Sequence, residues 1–282
     1  MILYGREVAD KMSEDILNEV KGLKDKGIEP KLAIVRVGRN ESDLSYERGA
    51  IKRAEKLGIK VEVFELQEGI KTDDLVGCIE RINNDKLIHG ILLFRPLPKH
   101  IDENHIKNAI NPIKDIDCIN PINVAKVMEG DKTGFAPCTP SAVVEILKHY
   151  NIDIKGKNVV VIGRSMVVGK PLSMLLLNED ATVTICHSKT QNLKEVTKNA
   201  DILIVAIGRA KFINREYVNN KTTVIDVGIN VDSVGNLCGD VDFDDVKELV
   251  KDITPVPGGV GAVTNTVLFK NLVKACKMQM GY

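Results

Sequence analysis

Apolar and polar positions along this chain alternate between two rhythms. Val8, Met12, Ile16 and Val20 recur every fourth residue, which predicts an amphipathic helix at the start. Residues 31–37 (KLAIVRV), 60–66 (KVEVFEL) and 89–94 (HGILLF) are short apolar runs that predict strands, with helices over 42–57 and 72–83 between them. In the second half, residues 159–162 (VVVI) are wholly apolar and β-branched, the pattern of a strand buried on both faces in a parallel sheet. Strand-like runs follow at 182–185, 202–207 and 223–227, and a last helix is expected over 264–277. Strands that alternate with helical stretches predict βαβ units and hence parallel sheets. The expected fold class is therefore α/β, in two domains. The first is an α/β domain of residues 1–138 plus 264–282, and the second a Rossmann-like, doubly wound domain of residues 139–263.

The turns between these elements carry the candidate chemistry. After the strand at 159–162, Gly163 ends the run and Gly169–Lys170–Pro171 opens a helix. Free amide N–H groups and the helix dipole make such a turn a cradle for phosphate. The dinucleotide fingerprint wants glycine at its first, third and sixth places. Those places hold Gly163, Ser165 and Val168, with Gly169 one step late, so a nucleotide site and an ordinary tight turn both fit. An NAD site carries a carboxylate about 20 residues further on, at the ribose 2′-hydroxyl. Here that place reads Cys186–His187–Ser188–Lys189, without an acid and beside Arg164, which points to a 2′-phosphate and NADP.

Ligand sites in parallel sheets lie at the carboxyl ends of the strands. Residues 38–46, the turn Arg95–Pro96–Leu97–Pro98 and residues 112–120 should therefore face one cleft. At Pro137–Cys138–Thr139–Pro140, Thr139 is expected to cap a helix over 141–150, with Pro140 at its first position. Residues 255–261 (PVPGGVG) are too stiff and glycine-rich for a regular element, and read as a functional loop or a hinge.

Composition narrows the function classes. With 282 residues and 44% hydrophobic content, the chain can bury two cores. Its 39 basic and 39 acidic residues cancel, leaving no electrostatic footprint for nucleic acid or an anionic membrane. No apolar run approaches a membrane span of about 18 residues, and the N-terminal segment does not read as a signal peptide. The six scattered cysteines form no C-x-x-C pair and no metal-ligand spacing with the five histidines. Reduced thiols in a cytoplasmic protein, without a metal, are the expectation.

Several short stretches then coincide in order and spacing: Gly90–Ile91–Leu92–Leu93 before Pro96–Leu97–Pro98, Lys114–Asp115–Ile116–Asp117, and Pro137–Cys138–Thr139–Pro140. They continue with Gly163–Arg164–Ser165, Val168–Gly169–Lys170–Pro171, Cys186 to Thr190, Val224 to Asn230, Gly239–Asp240–Val241 and the 255–261 loop. As a set they closely resemble the methylenetetrahydrofolate dehydrogenase/methenyltetrahydrofolate cyclohydrolase family over nearly the whole chain. The resemblance implies two domains flanking a cleft, tetrahydrofolate derivatives as substrates, NADP as cofactor, a folate-binding first domain and a homodimer. It implies that Tyr46 and Asp117 bind and act on the folate and that Pro257, Gly258 and Gly259 border it. It further places Gly163, Arg164, Ser165, Val168, Gly169, His187, Ser188, Gly208 and Ile229 around the cofactor.

Two positions depart from that pattern. Where the family has a lysine one helical turn after the tyrosine, this chain has Ala50, and the family's glutamine after the GILL strand is Phe94. That lysine and glutamine are the pair assigned to the cyclohydrolase step. Lys52 projects from another side of the helix, and the guanidinium of Arg53 does not deprotonate. Ala262 and Val263 also replace the usual Pro-Met. The expectation is oxidation of 5,10-methylenetetrahydrofolate with NADP in one-carbon metabolism, the cyclohydrolase weak or absent. The alternatives are a fully bifunctional enzyme, a folate-binding paralogue without catalysis, and a Rossmann dehydrogenase for another small substrate.

Overall fold

The computed structural model describes residues 1–281. They form two compact units: Met1–Lys11 with Pro137–Val267, and Met12–Ala136 with the residues from Leu268 onward. The first eleven residues, expected in the folate domain, thus group with the second half of the chain. The reason is pairing: Leu3 N–H donates to Ile253 O at 2.8 Å, and Ile2 bridges Ile253 in parallel. Pairing between the two ends of a chain leaves no local pattern in the sequence.

Helix α1 (Gly5–Lys24) continues into the unit holding residues 12–136, where β1 (Lys31–Val37), α2 (Glu41–Lys56), β2 (Lys60–Leu66), α3 (Thr72–Asn84) and β3 (Gly90–Leu93) follow. The strands form a parallel sheet in the order β2-β1-β3, with Leu32 opposite Val61 and Gly90. Two short helices, α4 (Glu103–Ala109) and α5 (Pro121–Glu129), follow, each started by a side-chain cap, Asp102 and Asn120 respectively. Ala33, Val35, Leu75, Ile79, Ile82, Ile91, Leu93 and Ile106 form the core between sheet and helices.

The other unit starts with α6 (Cys138–His149). It begins three residues before the expected start, because Pro137 O already accepts the Ser141 amide at 3.1 Å, and Thr139 lies inside it rather than capping it. Next come β4 (Asn158–Ile162), α7 (Gly169–Leu177), β5 (Thr182–Cys186), α8 (Leu193–Lys198), β6 (Ile202–Val205) and β7 (Thr223–Asp226). A hairpin of β8 (Asn230–Val231) and β9 (Leu237–Cys238), a single helical turn α9 (Phe243–Val246) and β10 (Asp252–Ile253) complete it. The five-stranded sheet is parallel in the order β10-β7-β6-β4-β5. The chain reverses direction across the sheet between β4 and β6, which marks the crevice where a doubly wound fold takes its ligand. The last helix, α10 (Val260–Gln279), starts four residues before the expected 264, so only residues 255–259 of the glycine-rich stretch remain irregular. No helix among the described residues is long and apolar enough to cross a membrane.

Just before β3, His89 is buried, and its Nδ1 accepts the Lys31 amide at 3.2 Å. Burial first, and then the neighbouring Lys114 charge, hold its imidazole below the ordinary value of 6.5. The folded chain therefore binds the proton less readily than the unfolded one. His89 contributes full stability above about pH 6.5 and loses it as pH falls through the window below. Replacing it with glutamine, which can still accept the Lys31 amide, should flatten that acid-side loss. Urea unfolding midpoints of wild type and His89→Gln at pH 7.5 and 5.5 check this, and an equal loss in both would refute it.

Candidate active site

The carboxyl end of the three-stranded sheet opens into a cleft of about 340 Å³ lined by Ser42, Asp43, Tyr46, Leu92, Leu93, Phe94, Arg95 and Asp117. The three segments expected to meet there do meet. Tyr46 is 40% exposed on α2, and its ring lies 5.5 Å from that of Phe94 at 62°, an edge-on aromatic contact. Phe94 is 7% exposed and is held at the strand end by its amide donating to Val35 O at 3.0 Å. Ala50, one turn beyond Tyr46, is 1% exposed and does not line the cleft. Lys52 is exposed on a different face, and Arg53 donates to Ser13 Oγ at 3.1 Å.

Two charged clusters, neither assigned a role from the sequence, hold this cleft in shape. Arg36 on β1 is buried and donates to Glu47 of α2 at 2.9 Å, with Glu65 of β2 at 3.2 Å and Gly38 O as further partners. Its Glu47 contact, the residue after Tyr46, fixes the rotation of α2. Burial opposes the guanidinium charge, but Glu47 and Glu65 outweigh it and raise its pKa. On the opposite wall, Lys114 donates to Ile82 O at 2.9 Å and Asp85 O at 2.7 Å. Asp115 accepts from the amides of Ile119 and Asn120, both at 2.9 Å, and from Asn123 Nδ2 at 2.8 Å. Burial raises the Asp115 pKa, and these donors oppose the rise. In Lys114–Asp115–Ile116–Asp117 the first two residues therefore secure the turn, Ile116 enters the core, and Asp117 is left facing the cleft. The sequence signal was present, since a lysine and an aspartate in an apolar stretch must be paired if buried. Only the fold says which groups pair with them.

In the other unit, the parallel sheet brings the turns after β4, β5, β6 and β7 to one edge. Gly163 has φ of 129°, and a Cβ there would lie 2.3 Å from Ala206 O. A Cβ on Gly169 would lie 2.2 Å from Gly163 O, so the late glycine is needed to close the turn against the helix. Ser165 Oγ accepts the Val168 amide at 3.1 Å, while the amides of Arg164 to Val167 have no acceptor among the described residues. Four free donors at the start of a nine-residue helix suit a phosphate. After β5, the turn is closed by Thr190 Oγ1 accepting the His187 amide at 2.9 Å, with Ser188 and Lys189 exposed. Gly208 follows β6 with φ of 65°, and Ile229 follows β7, 67% exposed. Pro257, Gly258 and Gly259 also belong to this unit, and Gly258 O accepts the Gly5 amide at 2.8 Å.

Residues 3–117 match the family model for the catalytic domain of tetrahydrofolate dehydrogenase/cyclohydrolase, and residues 137–280 match the model for its NAD(P)-binding domain. Among curated proteins, the chain is 61% identical to "Bifunctional protein FolD" of Clostridioides difficile (strain 630), covering 99% of this chain and 97% of that protein. It is 56% identical to the protein of the same name from Alkaliphilus metalliredigens, over 99% of this chain and 98% of the other. Among solved structures, it superposes with a TM-score of 0.96 and 42% identity on the bifunctional FolD methylenetetrahydrofolate dehydrogenase/cyclohydrolase of Campylobacter jejuni, with 99% of each chain covered. The Trypanosoma brucei methylenetetrahydrofolate dehydrogenase-cyclohydrolase, in complex with NADP and an inhibitor, superposes at 0.93 with 34% identity over 100% of this chain and 99% of that one. Both halves of the chain match, in order and over nearly their full length, so it belongs to the tetrahydrofolate dehydrogenase/cyclohydrolase family.

Proposed function

We propose that the chain oxidises 5,10-methylenetetrahydrofolate to 5,10-methenyltetrahydrofolate with NADP, and that it hydrolyses the product weakly or not at all. The observation that carries this reading is the Tyr46 cleft: Tyr46 and Asp117 remain on its walls while Ala50 is buried and Phe94 packs on Tyr46. Tyr46 would lie under the pterin and aminobenzoate of the folate, and Asp117 would hydrogen-bond the pterin ring. When bound, the nicotinamide supplies the hydride acceptor. The bridging C–H bond gives up both electrons, and lone pairs on the two folate nitrogens stabilise the cation that remains. No proton moves, so this step asks the protein for position and water exclusion rather than for a base. An edge-packed aromatic pair at the cleft wall suits that demand.

Hydrolysis asks for more. Water must add to the cationic carbon and lose a proton, which calls for a base and polar groups around the adduct. Alanine and phenylalanine supply neither, and Arg53 is engaged with Ser13. A fully bifunctional enzyme is the rival reading, favoured by the names of the relatives at 61% and 56% identity. It requires another group to orient the water, and Arg95 is the polar residue of the cleft wall nearest in sequence to Phe94. A folate-binding paralogue without catalysis accords less well with the free amides of Arg164 to Val167.

Arg164 and Ser188 beside the glycine turn support NADP over NAD, as does the missing carboxylate after β5. Initial rates of cofactor reduction at saturating methylenetetrahydrofolate should give a higher kcat/KM with NADP, and Arg164→Ala should weaken NADP far more than NAD. An equal or higher value with NAD would refute the cofactor choice. Ala50→Lys with Phe94→Gln should gain methenyltetrahydrofolate hydrolysis, with either single change gaining little. Burial depresses a lone lysine's pKa and leaves it without its partner. A double variant as inert as the singles would remove these two positions as the cause.

A homodimer in the cytoplasm completes the reading. Strand β5 is an edge strand with Thr184 and Ile185 exposed, and the β8–β9 hairpin exposes Val231, Val234 and Leu237. All six cysteines are free thiols, in keeping with a reducing compartment. Light scattering at micromolar concentration should give twice the chain mass of 31.0 kDa, and the single-chain mass would refute the dimer.

A further inference from the structure

Asp226 and Asp240 are both buried, and no lysine or arginine pairs with either among the described residues. Their charge is met by amide groups instead. Asp240 Oδ2 accepts from the amides of Ile207 at 2.7 Å and Gly208 at 3.1 Å, and its Oδ1 from the Arg209 amide at 2.6 Å and Asn230 Nδ2 at 2.9 Å. Asp226 in turn accepts from the amides of Gly228 and Asp240, both at 3.0 Å, and of Val241 at 2.8 Å. Two glycines make room for this: a Cβ on Gly228 would lie 2.3 Å from Asp240 Cγ, and one on Gly239 would lie 1.8 Å from Asp226 Oδ2.

Such a pair costs free energy. Burial, and to a smaller extent Asp240, push the Asp226 carboxyl up to about 7 against the pull of its amide donors. A well-packed apolar pair would serve stability as well or better. What the carboxylates hold is specific. Residues 207–209 follow β6 and residues 228–230 follow β7, both at the carboxyl edge of the sheet. In a doubly wound sheet the glycine turn after the first strand takes the phosphates, and the end of the next strand takes the adenosine ribose. Here those are the turns after β4 and β5, which leaves the β6–β7 side for the other nucleotide. The amides of residues 207–209 all point at Asp240, so this loop offers the ligand a shaped surface rather than donors.

We propose that Asp240, seated by Asp226, is a positioning residue for the nicotinamide half of the cofactor, fixing residues 207–209 and 228–230 as the wall against which that half packs. This rests on the NAD(P)-binding assignment of residues 137–280 and needs nothing from the folate site. Asp240→Asn keeps the size but turns an amide group toward backbone donors. Loosening the wall should then weaken NADP while leaving its adenosine half unaffected.

Isothermal titration of the full chain with NADP and with 2′,5′-ADP, the adenosine half alone, tests it. Asp240→Asn should raise the Kd for NADP about tenfold or more, the loss expected when charge-assisted hydrogen bonds are broken. Its Kd for 2′,5′-ADP should stay within about twofold of wild type. Asn230→Ala removes only one bridge to Asp240 and should show the same selectivity at smaller size, so it decides the matter if Asp240→Asn does not fold. Equal weakening of both ligands would reduce Asp240 to a structural role, and unchanged NADP affinity in both variants would overturn the proposal outright. A wild-type chain that binds neither ligand would instead overturn the cofactor reading, and this inference with it.

Discussion

Buried carboxylates that gather loop amides hold both candidate sites in place. Parallel strands end together, and each end releases donors and acceptors into a turn that must still be satisfied. Where the turn is exposed, water can do this; where it is packed, a side chain has to. Asp115 gathers three donors below the Asp117 turn, and Asp240 gathers four between the turns after β6 and β7. Lys114 does the converse, donating to two carbonyls at the end of α3. A single residue thus fixes several backbone groups at once. The turns become rigid where a ligand has to be oriented.

The chemistry of the Tyr46 cleft follows from what this rigidity presents. Arg36 and Glu47 set the rotation of α2, so Tyr46 faces the cleft and Ala50 faces the core. Phe94 occupies the strand end and leans on Tyr46. Tyr46 and Phe94 make this part of the wall aromatic, and on the proposed reading hydrolysis would need a base there. Hydride loss from a carbon flanked by two nitrogens does not need one. On the proposed reading, this geometry serves the oxidation half of the family's reaction.

Much of the fold was legible in the sequence because long elements repeat their pattern. β1, β2, β4 and α3 were read nearly to the residue. The elements that escaped were short or non-local. Helices α4 and α5 have too few turns to show a period, β10 has two residues, and the pairing of Ile2 with Ile253 joins opposite ends of the chain. The site divides the same way. The Gly163 turn could be found from motif spacing and Tyr46 and Asp117 only from the family resemblance, and the cleft does bring Tyr46, Phe94 and Asp117 together. The work of Asp240 could not, because its partners lie ten to thirty-three residues away and are mostly backbone amides, which carry no mark in a sequence.

On the proposed function, oxidation in this cleft ends at the methenyl cation. The most direct measurement follows a single turnover with excess enzyme over methylenetetrahydrofolate, saturating NADP and a buffer that does not catalyse hydrolysis, recording NADPH and methenyltetrahydrofolate together. The account expects the two to rise in equal amounts, with methenyltetrahydrofolate then decaying at its spontaneous rate. NADPH formed with 10-formyltetrahydrofolate in step, and no methenyl accumulation, would contradict it.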